Sequence, residues 1–175
     1  MKLNNHTLKE IVPTEIDTYF RNRKVHGYVH DPGAAMMGGV EGHAGLFANA
    51  GDLAVIMQML IQGGEYGGIR YIKESTVKEF TKRQFPLNKN RRGIGFDKPL
   101  PNNERGGPAC IEVSDNSFGH SGFTGTYTWA DPDNNLVYIF LSNRTYPSAE
   151  VNTLLKLNIR TDIHKVVYKA IVKGK

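Results

Sequence analysis

Residues 119–143 read GHSGFTGTYTWADPDNNLVYIFLSN, and this stretch decides the fold. From Phe123 to Trp129, aromatic residues and a glycine alternate with threonine, a period of two that predicts a β-strand. Residues 131–135 have the composition of a tight turn. Residues 136–141 are almost wholly apolar, as in a central strand that is buried on both faces. Two strands joined by a short turn predict an antiparallel hairpin.

A helix precedes this hairpin in the chain. Asn49 and Asp52 have the spacing of a capping box, with aspartate in place of the usual Glu or Gln. The apolar residues that follow recur at the period of a helix. Gly63 and Gly64 are typical of a helix C-terminus, so a helix from Asn49 to this glycine pair is predicted.

Two further helices complete the expected α+β fold, an antiparallel sheet with packed helices. One is predicted from Glu74 to about Lys82, with Val77 and Phe80 facing inward. The other is predicted over 149–172 and carries an apolar stripe that should pack on the sheet. The stripe consists of Leu155, Ile159, Ile163, Val166, Val167 and Ala170.

The rest of the chain is less regular. Residues 1–48 are expected to form a Gly-rich irregular lead-in segment, and residues 49–175 to form the sheet-and-helix part of one incomplete domain. Short strands are predicted at 93–96 and 111–113, because apolar and polar residues alternate at the second of these.

Composition excludes several classes of protein. The 175 residues fit one globular domain, and Cys110 is the only cysteine, so no internal disulfide forms. No apolar run approaches the length of a membrane span, and the polar residues 1–10 lack the apolar core of a secretory leader. The net charge is +5, but the one tight basic cluster, Lys89 with Arg91 and Arg92, is interpreted as solvated surface rather than a nucleic-acid site.

The tripeptide His120-Ser121-Gly122 has the chemistry of a catalytic platform. It offers an imidazole, a hydroxyl and a glycine that permits close approach of a substrate carbonyl. The backbone N–H of Phe123 could then donate a hydrogen bond to a developing oxyanion. The alternative from these residues alone is a Gly-rich approach to a strand, with a histidine that serves only packing.

The wider context of this tripeptide resembles the β-lactamase-like (penicillin-binding-protein-like) serine hydrolases, in their C-terminal portion. The matching features are the string from Gly119 to Thr126, the Trp-Ala-Asp-Pro hairpin, Asn143-Arg144, and the segment Gly38–Phe47 that leads into the first helix. The resemblance covers about residues 25–172. It implies the C-terminal part of a β-lactamase/transpeptidase-like fold.

The resemblance also implies a mechanism. In this family the serine of a Ser-x-x-Lys motif attacks a carbonyl, while a lysine and the tyrosine of a Tyr-x-Asn-like motif move protons. The family's third motif, of Lys/His-Thr/Ser-Gly type, matches His120-Ser121-Gly122 here, and the next N–H, that of Phe123, would complete the oxyanion hole. A histidine in place of lysine favours an esterase or a peptidase.

The nucleophile motif is expected upstream of Gly38, and nothing suitable stands there. Ser75-Thr76-Val77-Lys78 fits Ser-x-x-Lys only formally, because it belongs to a surface helix that lies too late in the chain. Ser114-Asp115-Asn116 lies too close to His120 and is interpreted as a turn. Tyr28-Val29-His30 resembles Tyr-x-Asn only loosely. The chain is therefore expected to be a fragment that is inactive alone.

No cofactor or metal is expected. His30-Asp31 could be a ligand pair, but Asp31-Pro32-Gly33 has turn chemistry. His43 could approach the cleft or simply fill a bend. Asp131 and Asp133 are interpreted as turn caps rather than as an acid–base pair.

Three functions are weighed. The first is the C-terminal part of a hydrolase that acts on an ester, an amide or a cell-wall-type substrate through an acyl-enzyme, with a missing N-terminal lobe as partner. The second is a module that binds a cell-wall fragment or a protein without turnover. The third is a structural half-domain whose exposed core face leads to homo-oligomers. The family implies a periplasmic or cell-envelope parent.

Overall fold

The computed structural model describes residues 8–85, 90–101, 104 and 106–172. Its helices and small antiparallel sheets confirm the α+β class that the sequence predicts. A 3-10 turn at Leu8–Glu10 comes first. The other elements, in chain order, are β1 Pro13–Asp17, β2 Arg23–His26, α1 Pro32–Met36, α2 Ala50–Ile61, β3 Glu65–Tyr66, β4 Ile69–Arg70, α3 Glu74–Thr81, β5 Phe118–Ser121, β6 Tyr127–Asp131, β7 Leu136–Phe140, α4 Thr153–Lys156 and α5 Ile159–Val172.

The central sheet has three antiparallel strands in the order β5-β6-β7. In its register Trp129 lies opposite Gly119 on one side and Tyr138 on the other. The predicted hairpin is confirmed as β6 and β7. On the outer side of β5, Asp97 and Gly119 exchange both backbone hydrogen bonds, at 2.7 and 3.0 Å. A loop thus extends the sheet beyond β5 by a single bridge.

The strand that was predicted to begin at Phe123 begins only at Tyr127. The Gly122 N–H donates to the Thr126 carbonyl at 2.8 Å, and the Gly125 N–H donates to the Gly122 carbonyl at 3.0 Å, which closes a tight turn. Gly125 has a φ of 102°, a conformation that favours glycine. The alternation of glycine and threonine therefore belongs to a turn, and the His120 motif ends β5 instead of preceding a strand.

Helix α2 packs on one face of the central sheet. The Asn49 side chain accepts a hydrogen bond from the Asp52 N–H at 3.0 Å, so the predicted start of this helix is confirmed. Met57 packs in a core cluster with Phe118 and Ala130. Because successive side chains of a strand point to opposite faces, the neighbours of Ala130 on β6 contribute to the other face of the sheet.

Helix α5 covers that other face, but with different residues from the predicted stripe. The single predicted C-terminal helix is divided by Asn158, whose φ is 51°. His164 and Tyr168 are buried, and the His164 ring stacks on Tyr138 with centroids 4.4 Å apart. The sheet face below is aromatic, so the flat rings of α5 fit it better than branched aliphatic side chains. Of the predicted stripe, Val167 is partly buried against this core, whereas Leu155, Ile163 and Val166 are exposed.

The lead-in segment 1–48 is more regular than predicted. Its described residues include the hairpin of β1 and β2 and the short helix α1, while 38–48 carry no helix or strand. The hairpin is joined to the chain after β7. The Ile16 N–H donates to the Pro147 carbonyl at 2.8 Å, and the Thr145 hydroxyl donates to the Thr14 carbonyl at 2.8 Å. The division of the chain at residue 48 remains a prediction.

Three smaller predictions were wrong. Residues 93–96 and 111–113 form bends, turns and irregular backbone rather than strands. In the first of these segments the Gly93 N–H donates to the Phe96 carbonyl and the Ile94 N–H to the Phe80 carbonyl, which are loop hydrogen bonds. Phe80 is 43% exposed, whereas Val77 on the same helix is buried as predicted. Among the described helices, none has the length and apolar character needed to cross a membrane.

Cys110 lies in the core beside Trp129 and Tyr168, as a small buried residue. Burial raises the pKa of its thiol to about 12. At pH 8 we expect the folded chain to react with iodoacetamide roughly 1000-fold more slowly than the urea-unfolded chain, because thiolate is the reacting species and its fraction falls by about that factor. Intact mass measured over time gives both rates. Equal rates would mean that Cys110 is accessible in the folded protein.

Candidate active site

The motif residues His120 and Ser121 lie at the end of β5, on the outer edge of the central sheet. Backbone groups of alternate residues in a strand point to the same side. Those of Gly119 point outward to Asp97, so those of Ser121 point outward as well. In the part of the chain that the structure describes, no strand pairs with this end of β5. An extended substrate could therefore lie along it, as an added strand does.

Phe123 stands at the first turn position after the motif. Among the described residues its backbone N–H has no hydrogen-bond acceptor. Its carbonyl accepts a hydrogen bond from Arg144 Nε at 2.6 Å, and the Arg144 guanidinium lies over its ring, 4.1 Å from the centroid. Arg144 thus holds the Phe123 carbonyl and ring in place, while the Phe123 N–H is left without an acceptor among the described residues.

The Phe123 ring also contacts His30, with centroids 5.1 Å apart. His30 Nε2 lies 3.1 Å from a Glu15 carboxylate oxygen, and the other Glu15 oxygen lies 3.1 Å from the Arg21 guanidinium. Arg21 in turn contacts Asp17 at 2.7 Å. Hydrogen bonds from the Phe20 N–H and the Arg21 side chain hold the pKa of Asp17 well below its usual range. A partly buried network of ion pairs beside the β1–β2 hairpin therefore supports the turn at Phe123. The sequence analysis did not indicate this network.

Arg92 contacts the His120 ring. Its NH1 atom lies 2.7 Å from His120 Nε2, and its Nε lies 3.1 Å from Asp97 Oδ1. Arg91 shares the same carboxylate at 3.1 Å. The sequence indicated only solvated basic surface here, and Lys89 of that cluster lies outside the described residues. No local pattern could have paired residues that are 28 positions apart.

The two formal matches to family motifs have structural partners. Lys78 forms an ion pair at 2.7 Å with Glu74, the residue before Ser75, on the exposed side of α3. Ser75 and Lys78 line an open surface cavity of about 830 Å³ whose lining does not include His120 or Ser121. The Ser114 hydroxyl donates to Asp131 at 2.6 Å and so belongs to a turn.

The weaker candidates do not form one cluster, although two of them, Asp31 and His43, contact each other. Asp31 caps helix α1, accepting from the Ala34 N–H at 2.8 Å, and His43 Nε2 lies 3.2 Å from it. His30 belongs to the Glu15 network instead. The Tyr28 hydroxyl faces the Ala35 carbonyl at 3.4 Å. No group of three or more His, Cys, Asp or Glu side chains suited to a metal ion occurs within the described ranges.

Comparison with known proteins places this chain in a family. The family model named Beta-lactamase matches residues 13–161, most of the chain. The chain belongs to the β-lactamase family. That membership confirms the resemblance read from the His120 motif and the Gly38–Phe47 segment, and it agrees with the α+β fold.

Curated relatives of this β-lactamase-family chain are longer proteins. One from Escherichia coli K12, named "Putative D-alanyl-D-alanine carboxypeptidase", is 36% identical over 150 residues, which are 79% of this chain and 34% of that protein. Proteins of the same name from Salmonella paratyphi B and Salmonella newport are 33% identical over 156 residues, 82% of this chain and 35% of their own length. The chain therefore spans about a third of these relatives.

Proposed function

We propose that this chain supplies the third motif and one oxyanion donor of a serine hydrolase, whose nucleophile and helical lobe lie in further polypeptide. The observation that carries the proposal is the Phe123 N–H, which lies near Ser121 at the end of β5 and has no acceptor among the described residues. Preorganised donors of this kind stabilise the oxyanion of acyl transfer. The relatives' name points to peptides that end in D-alanine as the substrate class.

Each motif residue has a distinct role in this proposal. A serine oxygen from the further polypeptide forms a bond to the substrate carbonyl carbon, and the C–N bond to the leaving amine breaks as that amine takes up the serine's proton. The Phe123 N–H binds the carbonyl oxygen while it is negatively charged. The Ser121 hydroxyl binds the substrate, and Gly122 keeps side-chain atoms away from the approaching carbonyl.

Exposed apolar side chains on α4 and α5 and between them are consistent with further polypeptide packing against these helices. Leu155, Leu157 and Val166 have exposed fractions of 57%, 60% and 65%. Helices α4 and α5 contact each other, and apolar surface exposed on neighbouring elements commonly marks an interface. It would serve either the missing lobe or, in the isolated chain, a second copy.

Acylation tests the proposal. The isolated chain, incubated with a fluorophosphonate or a penicillin, should show no adduct by intact mass, because its serines either have structural partners or have no base beside them among the described residues. A chimera, in which the aligned region of the E. coli relative is replaced by residues 13–161, should be acylated. Ser121→Ala in the chimera should slow acylation about 10–100-fold, the effect of losing one hydrogen bond to a charged group.

The matched control is Ser148→Ala, because Ser148 is an exposed serine away from the motif. It should leave the rate unchanged. A stoichiometric adduct on Ser75 or Ser121 of the isolated chain would overturn the assignment of the nucleophile to further polypeptide. Saturable binding of an acyl-D-Ala-D-Ala peptide by the folded chimera, without acylation, would favour the binding-module alternative.

A further inference from the structure

We propose that Arg92 is a positioning residue that fixes the His120 ring in one neutral tautomer, with its proton on Nδ1. The importance of this ring for catalysis rests on the proposed function above. The orientation and tautomer of the ring are inferred independently, from contacts among the described residues.

The Arg92 backbone is held from two sides. The Arg92 carbonyl accepts from the Gln84 N–H at 2.9 Å, and the Ile94 N–H donates to the Phe80 carbonyl at 2.8 Å, both at the end of α3. The Asp97–Gly119 bridge then ties the end of the same loop to β5. The loop therefore presents the Arg92 side chain to the His120 position in a defined geometry.

The donor and acceptor roles at His120 follow from chemistry. A guanidinium has only donors, so His120 Nε2, 2.7 Å from Arg92 NH1, must accept and carries no proton in this contact. His120 Nδ1 lies 2.9 Å from the Ser121 carbonyl, which can only accept. Nδ1 therefore carries the proton, and the ring is tied to its own strand.

Charge at this edge then resides on arginine rather than on His120. Asp97 is 3% exposed, and its carboxylate lies about equally close to Arg91 and Arg92. One carboxylate neutralises only one of two guanidiniums, so a net positive charge remains beside the motif. A guanidinium from the loop after α3 thus places positive charge beside a motif whose own first residue is a neutral imidazole.

The experiment is long-range proton–nitrogen NMR of the imidazole rings in the ¹⁵N-labelled chain, above the pH range in which imidazoles titrate. His120→Gln identifies the His120 signals. The wild-type chain should show the Nδ1–H pattern alone. Arg92→Gln should lose that single pattern and give a mixture of tautomers, and Arg92→Lys should do the same, because one ammonium cannot reproduce the fork of contacts to Asp97 and His120.

Arg91→Gln is the matched control, since Arg91 contacts Asp97 but not His120. It should retain the wild-type pattern. The signals of buried His164 report in each variant that the sheet and α5 remain packed. The proposal is overturned if Arg92→Gln and Arg92→Lys both keep the single Nδ1–H pattern, or if Arg91→Gln loses it equally. A negative result here leaves the acylation experiment unaffected, because the oxyanion donor is the Phe123 N–H.

Discussion

Replacement of Asp131 by alanine is expected to lower the free energy of unfolding by about 3–5 kcal/mol. Asp131 is 1% exposed, and its carboxylate accepts from the Ser114 N–H at 2.8 Å, the Ser114 hydroxyl at 2.6 Å and the Tyr168 hydroxyl. Asn134 donates to it as well, at 2.9 Å. Without the carboxylate, the buried Tyr168 hydroxyl and the part-buried Ser114 donors lose their acceptor. A buried donor left without an acceptor costs about 1–3 kcal/mol.

The charge of Asp131 is part of this effect. Burial acts to raise the pKa of Asp131, but the hydrogen bonds from Ser114, Tyr168 and Asn134 outweigh burial and hold that pKa below its ordinary value. Asp131→Asn should therefore destabilise as well, since its NH₂ group would face donors instead of accepting from them. Urea unfolding followed by the fluorescence of Trp129, the single tryptophan, measures both variants.

Asp133→Ala is the matched control, two residues along the same turn. Asp133 is exposed, and within the described part of the chain its carboxylate accepts only from the Asn116 side chain, at 3.0 and 3.1 Å, so its loss should change stability by less than about 1 kcal/mol. Equal losses in the two alanine variants would show that the turn as a whole, and not the Asp131 network, provides the stability.

Elements with strong local signals were predictable from the sequence. The Asn49 cap is made by residues three positions apart, and the β6–β7 turn is made by Asp131 with its next three residues. Both depend on contacts within a few residues, which a sequence pattern contains. Asp131 and Asp133 were interpreted as turn caps, and the hydrogen bonds of Asp131 to the N–H groups of residues 133 and 134 confirm this for Asp131.

Errors arose where distant packing decides the outcome. Gly122 to Thr126 alternates in the manner of a strand, but the positive φ of Gly125 makes it a turn. Helix α5 has an aliphatic stripe of helical period, but the aromatic face of the sheet, contributed by Tyr127 and Tyr138, selects the histidine and tyrosine side instead. The sequence contains the periodicity of the helix but not the shape of the surface that receives it.

The candidate site was predictable only in its motif. His120-Ser121-Gly122 was found through family resemblance, since three residues alone do not distinguish a catalytic platform from a turn. The groups that hold this platform come from elsewhere in the chain: His30 from the segment after β2, Arg92 from the loop after α3, and Arg144 from the segment after β7. Their roles depend on tertiary contacts, so residue type and spacing could not assign them.

His164 should make the fold sensitive to mild acid. Burial lowers the pKa of His164 to about 4, from an ordinary value of 6.5, although the nearby Asp131 acts to raise it. Between those two values the unfolded chain binds a proton that the folded chain does not. Stability therefore falls as pH decreases from 6.5 to 4, and the contribution of this one group reaches about 3 kcal/mol at the end of that interval.

The test compares the wild-type chain with His164→Phe, which keeps a flat ring against Tyr138 but cannot take a proton. Urea unfolding at pH 7, 6, 5 and 4.5 should show the stability of the wild-type chain falling relative to the variant, with most of the change below pH 6.

Asp17 and Asp131, whose pKa values are lowered, lose their contributions mainly below the ordinary aspartate value of 3.8 and affect both chains alike. His43→Gln, at an exposed histidine, should keep the wild-type slope. Parallel stability curves for the wild type and His164→Phe would mean that His164 accepts its proton within the folded chain, and that the aromatic core opens to admit a charge.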